Sequence, residues 1–122
     1  MDYQLKDKKV FISGSTKGIG LATAKTLAKE GAEVVVNGRS QESIEQAISS
    51  ITSEINSAKI SGIACDFSKK DQVDSLIEKL GKVDILINNA GAIVLTHKKS
   101  IDGIELTFAL NHLSYFLLTS CL

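Results

Sequence analysis

Apolar residues in this chain fall into short solid blocks separated by stretches of helical spacing. Val10-Phe11-Ile12 is an apolar run ending at Ser13-Gly14, which predicts a buried strand. Residues 18–30 predict a helix, with Ile19, Ala22 and Leu27 facing inward and Gly31 placed to end it. Val34-Val35-Val36 is a second, β-branched strand. Ser40 stands where it can cap the next helix, along which Ile44, Ile48, Ile51 and Ile55 form one apolar stripe. Lys59 to Cys65 is a third strand. Ser68, with Asp71 three residues on, reads as a helix-start box. Val73, Leu76, Ile77 and Leu80 then line one helix face, and Gly81 stops it. Val83 to Asn88 is a fourth strand centred on Ile85-Leu86-Ile87. Gly91 to Ile101 is an irregular loop, and Asp102 and Glu105 start a last helix running toward Leu122.

The predicted order is βαβαβαβα. Strands that are apolar on both faces, each followed by an amphipathic helix, indicate an α/β fold with a parallel sheet covered on both sides. Ligands of such sheets sit outside the carboxyl ends of the strands, so the turns after each strand are where chemistry is to be sought.

Composition narrows the picture further. The 122 residues suit one domain. Fourteen basic and fourteen acidic residues cancel. With no net charge there is no global attraction to nucleic acid or an anionic membrane, and any phosphate binding must be local. The two cysteines, Cys65 and Cys121, fit no metal or redox spacing and read as reduced thiols of a cytoplasmic protein. Met1 to Asp7 is too polar for a signal peptide, and no apolar run approaches the roughly 18 residues of a membrane span. The expectation is a cytoplasmic protein without metal, membrane or nucleic-acid partner.

Three turns carry the chemistry. In Ser13-Gly14-Ser15-Thr16-Lys17-Gly18-Ile19-Gly20, three glycines lie between the first strand and the first helix. Glycine permits a tight turn and close backbone approach to a diphosphate, and the helix start offers free N–H groups and a positive dipole end. No Gly-Lys-Ser/Thr ends the turn, which excludes the P-loop pattern. After the second strand, Gly38 and Arg39 fill the place where an NAD-binding fold puts an acid for the adenosine ribose. Without that acid nothing repels a 2′-phosphate. Arg39 can grip the phosphate with paired bonds, and Lys17 adds a second positive charge. This combination points to NADP(H). After the fourth strand, Asn88-Asn89-Ala90-Gly91 offers small residues beside Gly14, over which a cofactor can lie.

Together these motifs resemble the classical short-chain dehydrogenase/reductase family over essentially the whole chain. The glycine turn is similar to the family's TGxxxGIG, with Ser13 for threonine, and Asn89-Ala90-Gly91 to its NAG motif. The resemblance implies a Rossmann-type sheet of which residues 1–122 are the dinucleotide-binding front part, cut after about four βα units. It implies cofactor contacts by Gly14, Ser15, Lys17, Gly18, Ile19, Gly20, Arg39, Asp66, Phe67, Asn89, Ala90 and Gly91, with Asp66 on the adenine amino group. Asn111, in Phe108-Ala109-Leu110-Asn111, matches the helix asparagine of the family's catalytic tetrad, which holds a water of the proton relay. Residues 101–122 look most like the retinol-dehydrogenase branch, and residues 8–91 like bacterial ketoacyl-carrier-protein reductases.

The departure is equally specific. The family's catalytic serine and Tyr-x-x-x-Lys have no counterpart: Tyr3 is followed four residues on by Asp7, and Tyr115 by Thr119. The resemblance therefore implies the front half of an NADP(H)-dependent oxidoreductase that moves hydride between nicotinamide and a small carbonyl or alcohol. The alternatives are a non-catalytic dinucleotide-binding module and a truncated product without function. The fourth strand would form an apolar sheet edge, so homo-oligomers or edge-driven association are expected. His97, beside Lys98 and Lys99, and His112 read as surface or packing residues.

Overall fold

A computed structural model of the chain describes residues 3–91, 103–104, 111–112 and 114–121. In order, the elements are β1 (Lys9–Ile12), α1 (Gly18–Lys29), β2 (Glu33–Gly38), α2 (Gln41–Glu54), β3 (Lys59–Ala64), α3 (Lys70–Leu80), β4 (Ile85–Ile87) and α4 (Ser114–Cys121). The strands form one parallel sheet in the order β3-β2-β1-β4. Phe11 pairs with Val35 on one side and Leu86 on the other. The chain steps outward from β1 through β2 to β3 and then returns to the far side of β1. That reversal opens a crevice at the carboxyl ends of β1 and β4, where ligands of open α/β sheets bind.

Strand alternation divides the interior into two cores. Val10, Ile12, Val34 and Val36 face α1 and α2, meeting Ala24, Ala28, Ile44 and Ile51. Phe11 and Val35 face the other way, toward Val73, Leu76 and Leu80 of α3 and Leu118 of α4. Both faces of the sheet are thus covered by helices. Leu118 is fully buried while Phe116 is exposed, so α4 docks through one side and leaves an aromatic ring in solvent.

Two expectations about the helices need correction. The inward face of α1 is Gly20, Ala24 and Ala28, whereas Ile19 is 79% exposed and Ala22 lies in solvent. Leu27 does pack against the core, as expected, together with Leu21, while the fully buried positions of the helix are taken by small residues and Ile19 goes outward. Ser68 and Asp71 form no helix-start box. The helix begins one residue later than such a box requires: the cap position of α3 is Lys69, with no side-chain bond, and the Ser68 hydroxyl donates to Asp66 Oδ1 at 2.7 Å.

Other signals fall where expected. The Ser40 hydroxyl accepts the Ser43 N–H and caps α2, and α1 and α3 end before Gly31 and at Gly81. β4 is shorter than the run Val83 to Asn88. Asp84 turns its carboxylate to the Lys9 N–H at 2.9 Å, which anchors the strand entrance to β1. The loop tip with His97, and the expected helix start at Asp102 and Glu105, lie outside the described residues. Among the described residues, no helix is long and apolar enough to cross a membrane.

Candidate functional site

The site grows from the turn between β1 and α1. Gly14 has φ +63°, and a Cβ there would lie 2.9 Å from Ala90 Cα. The turn is therefore pressed directly onto the segment after β4, and only glycine satisfies both the dihedral and the contact. At Gly20 a Cβ would meet the Gly14 carbonyl oxygen at 2.4 Å and Asn89 Nδ2 at 2.7 Å, so the first turn of α1 closes onto the same point. The opposite side is open, since a Cβ on Gly18 would meet nothing within 4 Å. Lys17 occupies the cap position of α1 without a side-chain bond. The first-turn N–H groups and the positive helix end thus face open space over a glycine surface, which is the geometry that holds a diphosphate. Ile19 stands exposed beside it.

Buried polar side chains fix this turn. The Ser13 hydroxyl accepts the N–H groups of Asn89 and Ala90, each at 2.9 Å, and Asn89 Nδ2 donates to the Gly14 carbonyl at 3.0 Å. Asn37, at the end of β2, accepts the Gly14 N–H on Oδ1 at 2.9 Å and donates from Nδ2 to the Ile63 carbonyl at 3.0 Å. Its backbone N–H goes to Ser15 Oγ, which donates in turn to the Ile12 carbonyl. Ser13, Ser15 and Asn37 are all buried. The Ser15 N–H is likewise given to the Asn37 carbonyl at 2.8 Å, so this residue shapes the turn from inside. Sequence reasoning named Ser13 only as a replacement for threonine and gave Asn37 no role. The available signal was an asparagine directly after the Val34-Val35-Val36 run, since a polar group buried there needs partners.

At the end of β2 the surface changes character. Gly38 is buried, and Lys17 and Arg39, with Thr16, Ser40 and Ser43, line a depression of about 450 Å³. Both cations are exposed, and none of the five lining residues carries a carboxylate. Asp66 lies one strand over. Partial burial works against its charge, but two hydrogen bonds from Ser68, with Lys69 and Arg39 nearby, hold its carboxyl below the usual range. Asp66 is thus an anion within the field of Arg39. Phe67 is buried in the second core, so its side chain belongs to packing.

At the far end of the crevice, a Cβ on Gly91 would lie 3.1 Å from Asn111 Oδ1 and 3.8 Å from the Tyr115 hydroxyl. Tyr115 donates to the Ala90 carbonyl, and burial raises its phenol above the ordinary value. The fold therefore brings Asn111 against the Asn89-Ala90-Gly91 segment across a sequence gap of about twenty residues. Asn88 Nδ2 donates to Thr119 at 3.0 Å, tying α4 to the strand end.

Comparison with known proteins gives the same frame. The family model for short chain dehydrogenases matches residues 8–122. The chain belongs to the short chain dehydrogenase family. It is 47% identical over 94 residues to the uncharacterized oxidoreductase YvrD of Bacillus subtilis (strain 168), covering 75% of this chain and 35% of that protein. Human polyprenol dehydrogenase is 34% identical over 120 residues, covering 95% and 36% respectively. Among solved structures, L-sorbose reductase from Gluconobacter frateurii complexed with NADPH and L-sorbose superposes with a TM-score of 0.84 at 29% identity. That match covers 100% of this chain and 48% of the reductase. The chain thus spans about a third of these curated relatives and about half of the solved one. Membership makes this a chain of an oxidoreductase family that binds nicotinamide dinucleotides, with a Rossmann-like fold.

Proposed function

We propose that this chain is the dinucleotide-binding half of an oxidoreductase that uses NADP(H) and acts on a small carbonyl or alcohol. The observation that carries the reading is the depression at the end of β2, where Lys17 and Arg39 stand together and Gly38 leaves no acid. A 2′-phosphate there would meet two cations, one of them able to form paired bonds. The glycine turn and the start of α1 would hold the diphosphate, Asp66 would lie toward the adenine, and Asn89-Ala90-Gly91 would support the nicotinamide ribose. Bound NADP(H) supplies or takes up the hydride. Asn111, beside Gly91, would hold a water for the accompanying proton. The NADPH in the related L-sorbose reductase structure supports this choice of cofactor.

Charged hydrogen bonds to the 2′-phosphate are worth about 1.5–3 kcal/mol, which is about 10- to 150-fold in affinity. Titration of the chain with NADPH and NADH, followed by nicotinamide fluorescence, measures this. NADPH should bind more tightly by that factor, and Arg39→Ala should remove most of the difference. Equal affinities, or a preference unchanged in Arg39→Ala, would refute the reading.

A further inference from the structure

The glycine at 38 is more than a missing acid. A Cβ built there would lie 2.6 Å from Thr16 Cγ2, 2.9 Å from Ser43 Oγ and 3.3 Å from Thr16 Oγ1. The first distance is far inside van der Waals contact, so a side chain at 38 requires Thr16 to move. The backbone of Thr16 is poorly placed to yield, so relief falls to rotation of its side chain. Thr16 sits in the turn whose neighbours Gly14 and Ser15 are bonded to Asn37, the residue just before Gly38. Ser43 is held as well, since its hydroxyl donates to the Ser40 carbonyl at 2.9 Å and accepts from Ser40 Oγ at 3.0 Å at the start of α2. It can turn away only by giving up those bonds.

We propose that Thr16 is a specificity-determining residue whose methyl group occupies the space of a side chain at 38. It thereby bars a ribose-binding carboxylate from the end of β2 and keeps the site open to a 2′-phosphate. The proposal rests on the NADP(H) reading above and adds a cause to it. On this account charge and shape act together. Lys17 and Arg39 attract the phosphate, and Thr16 excludes the one substitution that would most directly turn the site toward NAD(H). Positions 16 and 38 are then coupled: an acid at 38 is productive only when residue 16 is small.

The test is a double-substitution cycle on the whole chain. For the steric part, Gly38→Ala is made in the parent and in Thr16→Ala, and thermal unfolding is recorded. Gly38→Ala should lower Tm by several degrees in the parent and by much less in the Thr16→Ala background. Equal losses in both would overturn the proposal without any cofactor present. For the specificity part, NADPH and NADH are titrated against the parent, Gly38→Asp, and Thr16→Ala/Gly38→Asp. Gly38→Asp alone should lose NADPH without gaining NADH. The double variant should bind NADH at least about tenfold more tightly than the single, a gain of about 1.4 kcal/mol. Gly38→Asp binding NADH as well as the double variant would sink the role of Thr16 and leave the NADP(H) reading intact. A parent that binds both dinucleotides equally, or neither, would refute that reading and this proposal with it.

Discussion

Replacing Asn37 should show how far the glycine turn depends on one buried amide. The side chain is 1% exposed and bonds two separate backbone segments, the Gly14 N–H and the Ile63 carbonyl. Asn37→Leu keeps a similar volume and leaves both backbone groups without their partner. A buried donor or acceptor deprived of its bond costs about 1–3 kcal/mol. Because both bonds are only part-buried, water can recover some of that, and a total of about 2–4 kcal/mol follows. Against a usual domain stability of about 5–15 kcal/mol, this is a large fraction. It corresponds to a fall in Tm on the order of 10 °C.

Asn37→Asp separates the two bonds. Ionised, it still accepts from Gly14 but sets a negative charge against the Ile63 carbonyl. Burial and that carbonyl both raise the folded-state pKa of the new carboxyl above its unfolded value. Protonated, it can donate to the carbonyl again. A raised folded pKa means stability that is present at low pH and lost as pH rises through it. The Asp variant should therefore approach the parent in mild acid and fall away toward neutrality, whereas the deficit of Asn37→Leu relative to the parent should not follow that titration. Thermal or urea unfolding from pH 4 to 8 gives both curves. A Leu variant melting within about 2 °C of the parent, or an Asp deficit that does not change with pH, would show that Asn37 does not hold the turn.

Three further outcomes follow from the same geometry. Gly20→Ala, which would place a methyl 2.4 Å from the Gly14 carbonyl oxygen, should abolish detectable dinucleotide binding and lower Tm; retained affinity would mean the turn is not closed as described. Burial, with Asp66 and Asp71 nearby, pushes the Cys65 thiol up to about 12, so a disulfide reagent at pH 8 should modify Cys65 only as fast as the chain unfolds. Immediate stoichiometric labelling of Cys65, read by peptide mapping, would contradict this. β4 pairs only with β1 among the described strands, and Phe116 is 67% exposed, so the isolated chain should associate with rising concentration in light scattering. A monomer with a concentration-independent melt above about 65 °C would argue otherwise.

What the sequence made legible, and what it hid, follow from different physics. The apolar runs located β1, β2 and β4, and β1 and β2 are buried on both faces, which requires apolar residues throughout; β3 alternates instead, with Ile60 and Ile63 separated by Ser61 and Gly62 and no residue fully buried. Gly31 and Gly81 marked helix ends, and Ser40 marked a cap, because those roles are local. On α1 the reading held for Leu27 and failed for Ile19 and Ala22, because periodicity weighs hydrophobicity, whereas the close approach at Gly20 demanded small residues, so Gly20, Ala24 and Ala28 went in and Ile19 went out. The apparent box at Ser68 failed because α3 takes Lys69 as its cap position, and Ser68 instead bonds Asp66 in the turn before it. Thr16 and Asn37 were invisible for a related reason. Their partners, Gly38 for one and Gly14 and Ile63 for the other, are more than twenty residues away and become neighbours only when parallel strands align.

That distinction also divides the labour within the site. Ser13, Ser15, Asn37 and Asn89 bond backbone groups and give the turn its shape. Ser13, Ser15 and Asn37 have almost no exposed surface with which to touch a ligand. Lys17 and Arg39 are exposed and hold no ion pair found among the described residues. Removing a charge from such a surface position changes stability by about 0.5 kcal/mol or less. Shape and selectivity are thus carried by separate residues. A change in the buried set must alter folding and binding of either dinucleotide together, because it deforms the surface both would share. On the NADP(H) reading, a change at Lys17 or Arg39 should act mainly on the 2′-phosphate. Thr16 stands between the two groups, since it lines the depression yet fills the space beside Gly38, and on the proposal above it is where shape would become selectivity.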